Sequence, residues 1–174
     1  MPQDNLLKRI ITLDKQLSAR LAIPIEARLL RLAALALAHS GDSPLWLLGA
    51  AVIFILAGAA GRDFGWRILA GTLISGALTT ILKQIFRRHR PPGEGRGFYS
   101  RFDRHAFPSG HAGRSVCLVV LLIPLLPPWG SALLTLWVGL VGLARVALQV
   151  HFATDILGGW AVGLLTGGAL LAIF

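Results

Sequence analysis

Long apolar runs alternate with short polar breaks along most of this chain. Pro44 to Ala60 carries no charge, and Trp66 to Leu82 is interrupted only by Arg67 near its start. Gly110 to Leu126, Trp129 to Leu143 and Ile156 to Phe174 continue the series. A hydrocarbon core of roughly 30 Å takes about 17–25 helical residues, and each run comes close to that once its polar ends are included. Trp46, Trp66, Trp129 and Trp160 fall near run starts, as interface anchors do, while Trp137 sits mid-run as a packing residue. Residues 24–40 are ambiguous. Glu26, Arg28 and Arg31 crowd the first turns, and Leu32 to Ala38 is too short to cross alone. The segment is either a further span whose long side chains snorkel or a partly inserted helix.

Ahead of these runs, Leu6, Ile10, Leu13 and Leu17 recur at helical spacing, with Lys8, Arg9, Lys15 and Arg20 between them. This predicts an amphipathic helix over residues 1–22, lying in the membrane interface or packed on the protein. It lacks the solid apolar centre of a cleavable signal peptide. The pattern as a whole predicts an all-α fold: an integral membrane helical bundle with five or six transmembrane helices and an N-terminal amphipathic helix. Residues 23–174 form its single transmembrane domain.

Composition agrees, with 55% hydrophobic and 14% charged residues against about 25% charged in a soluble domain. The net charge of +9 would suggest nucleic acid in a soluble protein. Here the bases sit between apolar runs, which points instead to anionic lipid headgroups and phosphate-bearing substrates. Cys117 is the only cysteine, so intrachain disulfides and C-x-x-C metal patterns are excluded. Gly159, Gly163 and Gly167 recur every fourth residue and share one helix face. Such a stripe admits a neighbouring helix or forms a homodimer seam.

The polar segment 84–114 is long for a compact membrane protein, and such loops are usually functional. Counting crossings from it puts Lys83, the loop, Arg145, His151 and Asp155 on one membrane face. Three clusters therefore converge. In the third, His151 and Asp155 are four residues apart, which stacks them if one helix runs through both. A carboxylate on one ring nitrogen fixes the tautomer and raises the basicity of the other, as a histidine nucleophile requires. In the second, Ser109 suits a helix N-cap, and Gly110 lets backbone N–H groups approach a phosphate. His111 would face that phosphate as a proton donor. In the first, Lys83 and Arg90 join Arg145 as fixed positive charge. Arg87 and Arg88 read as juxtamembrane bases touching lipid headgroups.

Together the clusters resemble the type-2 phosphatidic acid phosphatase family, which shares its site with bacterial acid phosphatases and vanadium haloperoxidases. The family pattern K-x6-R-P, P-S-G-H, S-R-x5-H-x3-D is matched by Lys83, Arg90 and Pro91. Pro108 to His111, then Arg145, His151 and Asp155, match the remainder. Ala144 departs from it, standing where the family often has Ser. The resemblance implies a metal-independent lipid phosphatase without a cofactor. His151 would attack phosphorus and form a phosphohistidine, Asp155 would orient His151, and His111 would protonate the leaving oxygen. Lys83, Arg90, Ser109, Gly110 and Arg145 would hold the phosphoryl oxygens.

Two other readings compete. His111, His151 and Asp155 could ligate a metal, but the basic residues would crowd a cation, and Glu94 and Asp103 are the only strong acidic ligands in the loop. An anionic-lipid binding or transport protein would explain the charge but not the two histidines and Asp155. The expected substrate is undecaprenyl pyrophosphate, with phosphatidylglycerophosphate or phosphatidic acid as alternatives. The expected location is a bacterial inner membrane, with the site on the periplasmic or extracellular face. If residues 24–40 span, the face opposite the site holds Lys8, Arg9, Lys15, Arg20, Arg28, Arg31, Arg62 and Arg67, which slightly favours that orientation.

Overall fold

A computed structural model describes residues 3–92 and 104–174; the middle of the polar loop, with Glu94 and Asp103, lies outside the described residues. The helices are α1 (Gln3–Arg20), α2 (Arg28–Ser40), α3 (Ser43–Leu56), α4 (Gly58–Phe86), α5 (Gly110–Leu122), α6 (Pro128–Ala147) and α7 (Ala153–Leu171). A 3₁₀ turn, Ile123–Leu125, extends α5.

Among the described residues, Gly61–Phe86, Pro128–Ala147 and Ala153–Leu171 are long and apolar enough to cross a membrane. Helices α2 and α3 supply a fourth crossing if the pair, bent by 55°, counts as one span. The count is thus three or four by length and composition, where the apolar runs suggested five or six. The shortfall has two causes. Helix α5 is short, and α2 packs Ala34 and Ala38 against Ala144 and Leu148 of the α6 end instead of continuing straight into α3.

Helix α5 forms the centre of the bundle. Its residues from Ala112 to Leu122 are buried at every position but Val120, with Leu118 and Leu121 fully enclosed. A helix apolar on all sides belongs inside a bundle, and α4, α6 and α7 surround it. Outward-facing Leu73, Ile81, Leu136 and Leu165 are exposed, as lipid-facing residues are.

The glycine stripe of α7 faces α5. A Cβ at Gly159 would fall 2.5 Å from the Ser109 carbonyl oxygen, and one at Gly167 would fall 2.8 Å from the Val120 Cβ. Gly163 meets the Gly113 carbonyl in the same way. The homodimer seam through Gly159, Gly163 and Gly167 is therefore corrected: the chain's own α5 fills it, because backbone-to-backbone approach requires the missing side chains.

Helix α1 is amphipathic in an inverted sense. Asp14 and Ser18 are buried, whereas Leu6, Ile10, Leu13 and Leu17 are exposed. The Ser18 hydroxyl accepts the Ala153 N–H at 3.0 Å, and the Ser18 carbonyl accepts the Gln149 side chain at 2.6 Å. The Ile23 N–H reaches the Ala147 carbonyl at 3.0 Å. These bonds dock α1 on the turn between α6 and α7, with its apolar stripe outward. Lys8, Arg9, Lys15 and Arg20 consequently lie on the face that carries His151, not the opposite one. The base count behind an outward-facing site rested on the other placement and no longer supports it.

Candidate active site

The α6–α7 turn sets the centre of the site. Gln149 takes a left-handed backbone with φ of 55° and reverses the chain after α6. Helix α7 begins at Ala153, with Phe152 as N-cap and Asp155 in the first turn. The helix thus does not run through His151, as stacking by four residues had suggested. Instead the capping turn folds His151 back over Asp155, Nδ1 to Oδ2, at 3.6 Å. The Phe152 N–H donates to the same Oδ2 at 2.8 Å, which locks the carboxylate beneath the ring.

His151 is completely buried, and neither ring nitrogen has a hydrogen-bond partner among the described residues. Its pKa lies well below 6.5, first because of burial and then because Arg145, Arg90, Lys83 and His111 all add positive potential. A neutral imidazole with an unengaged Nε2 is chemically a nucleophile. The same cations that hold it neutral could receive the oxygens of a bound anion.

Each cation comes from a different element. Lys83 lies in the last turn of α4 and Arg145 in the last turn of α6. Arg90 follows α4 and donates to the Val150 carbonyl at 3.2 Å, beside the turn. The N-terminus of α5 completes the ring. Ser109 caps it by accepting the Ala112 N–H at 3.4 Å, and its own N–H donates to the Asp155 carbonyl at 2.9 Å. That second bond ties the α5 start to the α7 start. Gly110 and His111 follow, so the first-turn amides and His111 open on the same cavity as Lys83. The cavity, about 770 Å³, runs between α4 and α5.

Four contributors escaped the sequence reading. Arg88 is no headgroup base: it donates to Asp155 Oδ1 at 2.7 Å, to the Thr154 hydroxyl at 2.6 Å and to Asp14 Oδ2 at 2.6 Å. Asp14 also accepts the Thr154 N–H at 3.0 Å. Burial pushes the Asp14 carboxyl up, but hydrogen bonds from Thr154 and Arg88 outweigh it and hold the pKa below 3.8. Asp42, at the α2–α3 break, accepts the His111 Nε2–H at 2.5 Å and bonds His39 at 2.9 Å. The available signal for Asp42 was its rarity, an acid between apolar runs. Arg87, by contrast, is exposed and donates to the nearby Gln84 carbonyl at 2.9 Å. Among the described residues no three His, Cys, Asp or Glu side chains converge as a metal site would need.

This helical arrangement has relatives. The chain aligns with phosphatidylglycerophosphatase B of Bacillus subtilis at 35% identity, covering 51% of this chain and 47% of that protein. It thus spans about half the length of that relative. With the decaprenylphosphoryl-5-phosphoribose phosphatase of Mycolicibacterium smegmatis it is 33% identical over 71% of this chain and 68% of that protein. The crystal structure of a transmembrane PAP2 type phosphatidylglycerolphosphate phosphatase from Bacillus subtilis superposes with a TM-score of 0.77 at 26% identity. It covers 95% of this chain and 86% of that one. Aquifex aeolicus LpxE shares the fold at a TM-score of 0.66 and 22% identity, covering 84% and 87%. The profile of the PAP2 superfamily matches residues 64–174, which include each of the three clusters, and the chain belongs to that superfamily.

Proposed function

We propose that this protein is a bacterial membrane lipid phosphatase that removes a terminal phosphomonoester, with phosphatidylglycerophosphate as the best-supported substrate class. The observation that carries the reading is His151: buried, neutral, backed by Asp155, and ringed by Lys83, Arg90 and Arg145. Support moves away from undecaprenyl pyrophosphate. Two curated relatives act, by name, on lipids whose phosphomonoester is joined through glycerol or ribose to a second, lipid-linked phosphate.

The reaction follows from the groups present. His151 Nε2 attacks phosphorus in line, forming a P–N bond as the P–O bond to the leaving alcohol breaks. Asp155 at Nδ1 stabilises the charge that develops on the ring. His111 gives its proton to the leaving oxygen. Asp42 holds His111 Nε2, so Nδ1 is the ring nitrogen that Asp42 does not engage. Water then attacks phosphorus, His111 takes its proton, and inorganic phosphate leaves with His151 restored. Lys83, Arg90, Arg145 and the amides at Ser109 and Gly110 neutralise the three phosphoryl oxygens throughout. The exposed leucines of the bundle support a cleavage at a lipid–water boundary.

Phosphate release by purified protein from phosphatidylglycerophosphate, phosphatidic acid and undecaprenyl pyrophosphate tests this, with and without excess chelator. The expected result is highest kcat/KM on phosphatidylglycerophosphate, undiminished by chelator. Turnover that needs a divalent ion, or no release from any lipid, sinks the proposal.

A further inference from the structure

Beyond Lys83 and His111, the cavity continues between α4 and α5 to a cation that the hydrolysis does not use. Arg114 sits one turn into α5 from His111, about 4.5 Å deeper at 1.5 Å rise per residue. It is 7% exposed and lines the cavity. Its NH1 donates to the Gly41 carbonyl at 2.6 Å, while its Nε is buried with no hydrogen-bond partner. A buried guanidinium costs much free energy unless an anion compensates it. Gly41 offers a neutral oxygen. Asp42 attracts Arg114 through space, but its oxygens are bonded to His111 and His39. Gly76 across the cavity has no side chain to fill the space beside Arg114 NH2. Thr79 and Thr80 of α4 line the wall between, their hydroxyl oxygens able to accept while their protons go to the Ser75 and Gly76 carbonyls, and Thr72 lines it one turn beyond Gly76.

Resting on the phosphatase reading above, we infer that Arg114 binds a second phosphate of the substrate, a lipid-linked phosphodiester joined to the scissile phosphomonoester by a short polyol. The phosphomonoester occupies the end lined by Lys83, Gly110 and His111. The polyol lies along the threonine wall, where its hydroxyls find partners. The diester reaches Arg114, and its tail leaves toward the bilayer. Arg114 is a specificity determinant and takes no part in bond making. The arrangement selects bisphosphorylated lipids over phosphatidic acid, which has no second phosphate, and over a diphosphate, whose phosphorus atoms are too close together.

The test compares kcat/KM for phosphatidylglycerophosphate and phosphatidic acid of matched acyl chains in detergent micelles, with p-nitrophenyl phosphate as a third substrate. Arg114→Gln should lose about tenfold or more on phosphatidylglycerophosphate, as expected for a charge-assisted hydrogen-bond pair, chiefly through KM. Phosphatidic acid and the aryl phosphate should lose no more than about threefold, which also reports that the variant is folded. Equal losses on all three substrates overturn the inference and make Arg114 a tie to Gly41. If Arg114→Gln does not fold, Arg114→Lys decides, since a lowered ratio of the two lipid activities supports the subsite and an unchanged ratio overturns it. A wild-type protein inactive on both lipids fails the parent reading, whereas activity on both with no Arg114 effect on their ratio fails this inference alone.

Discussion

His111 Nε2 and Asp42 Oδ1 meet at 2.5 Å although 69 residues separate them in the chain. Asp42 gives the imidazole what a leaving-group acid needs inside a ring of cations. Burial, with the Arg145 and Arg114 charges, lowers the His111 pKa to about 4, and the Asp42 carboxylate in contact is the group that favours the protonated ring against them. Asp42→Asn should therefore behave like a partial loss of His111. We expect kcat/KM to fall about ten- to a hundredfold on a lipid monophosphate, whose alkoxide leaves badly, and much less on p-nitrophenyl phosphate. An equal fall with both substrates removes Asp42 from the acid's support.

The two histidines separate by the same logic. His111→Ala should show a defect that shrinks as the leaving group improves, from about 100- to 10,000-fold for an alkoxide toward a few-fold for the aryl phosphate. His151→Ala should be inactive with both, because no P–N bond can form. Rescue of His151→Ala by the aryl phosphate would remove His151 as nucleophile.

Arg88 and Asp14 extend the support of Asp155 to α1. Arg88 joins Asp155 Oδ1 to Asp14 Oδ2, at 2.7 and 2.6 Å. Breaking a largely buried ion pair by removing one partner costs on the order of 3–5 kcal/mol, and here part of that cost falls on Asp155 placement. Arg88→Met should lower kcat at least about tenfold, with KM little changed, and Asp14→Asn should follow in the same direction. Arg87→Met is the control, since Arg87 is exposed and donates to the Gln84 carbonyl of its own helix. Indistinguishable kinetics for the Arg87 and Arg88 variants would show that Arg88 does not act through Asp155.

Acid should destabilise the fold through His151, with His111 adding the same sign and Asp155, whose carboxyl burial pushes up to about 6, opposing it. Its folded pKa is depressed by burial and by the Arg145, Arg90, Lys83 and His111 charges, so below 6.5 the unfolded chain binds a proton that the folded chain refuses. This group leaves stability level above 6.5 and lowers it as pH falls beneath that value, by up to about 1.4 kcal/mol per pH unit. Asp14 acts later with the same sign, its contribution being present above 3.8 and lost as pH falls through the lower folded value. Thermal unfolding in detergent between about pH 7.5 and about pH 5.0 should show a midpoint that falls less steeply in His151→Gln than in the wild type. Parallel curves for the two proteins would refute the assignment.

Much of this protein is legible in one dimension because its signals are local. Apolar runs declare membrane helices wherever 17 or more such residues are contiguous, and Ser109 before Gly110 declares a helix start. The shared face of Lys83, His111 and His151 follows from counting crossings. The tertiary structure decided what depends on how helices meet. Residues 24–40 read as a possible span, yet α2 lies against the end of α6 and breaks at Gly41, which is what delivers Asp42 to His111. Residues 1–22 read as an amphipathic helix, yet α1 sits with its leucines outward and turns Asp14 toward Thr154. The α7 glycines could have joined two chains, and only the position of α5 assigns them. Periodicity gives the face of a helix on which a residue sits. Which way that face turns is set by the neighbour that satisfies its buried charge, and that neighbour lies far away in sequence.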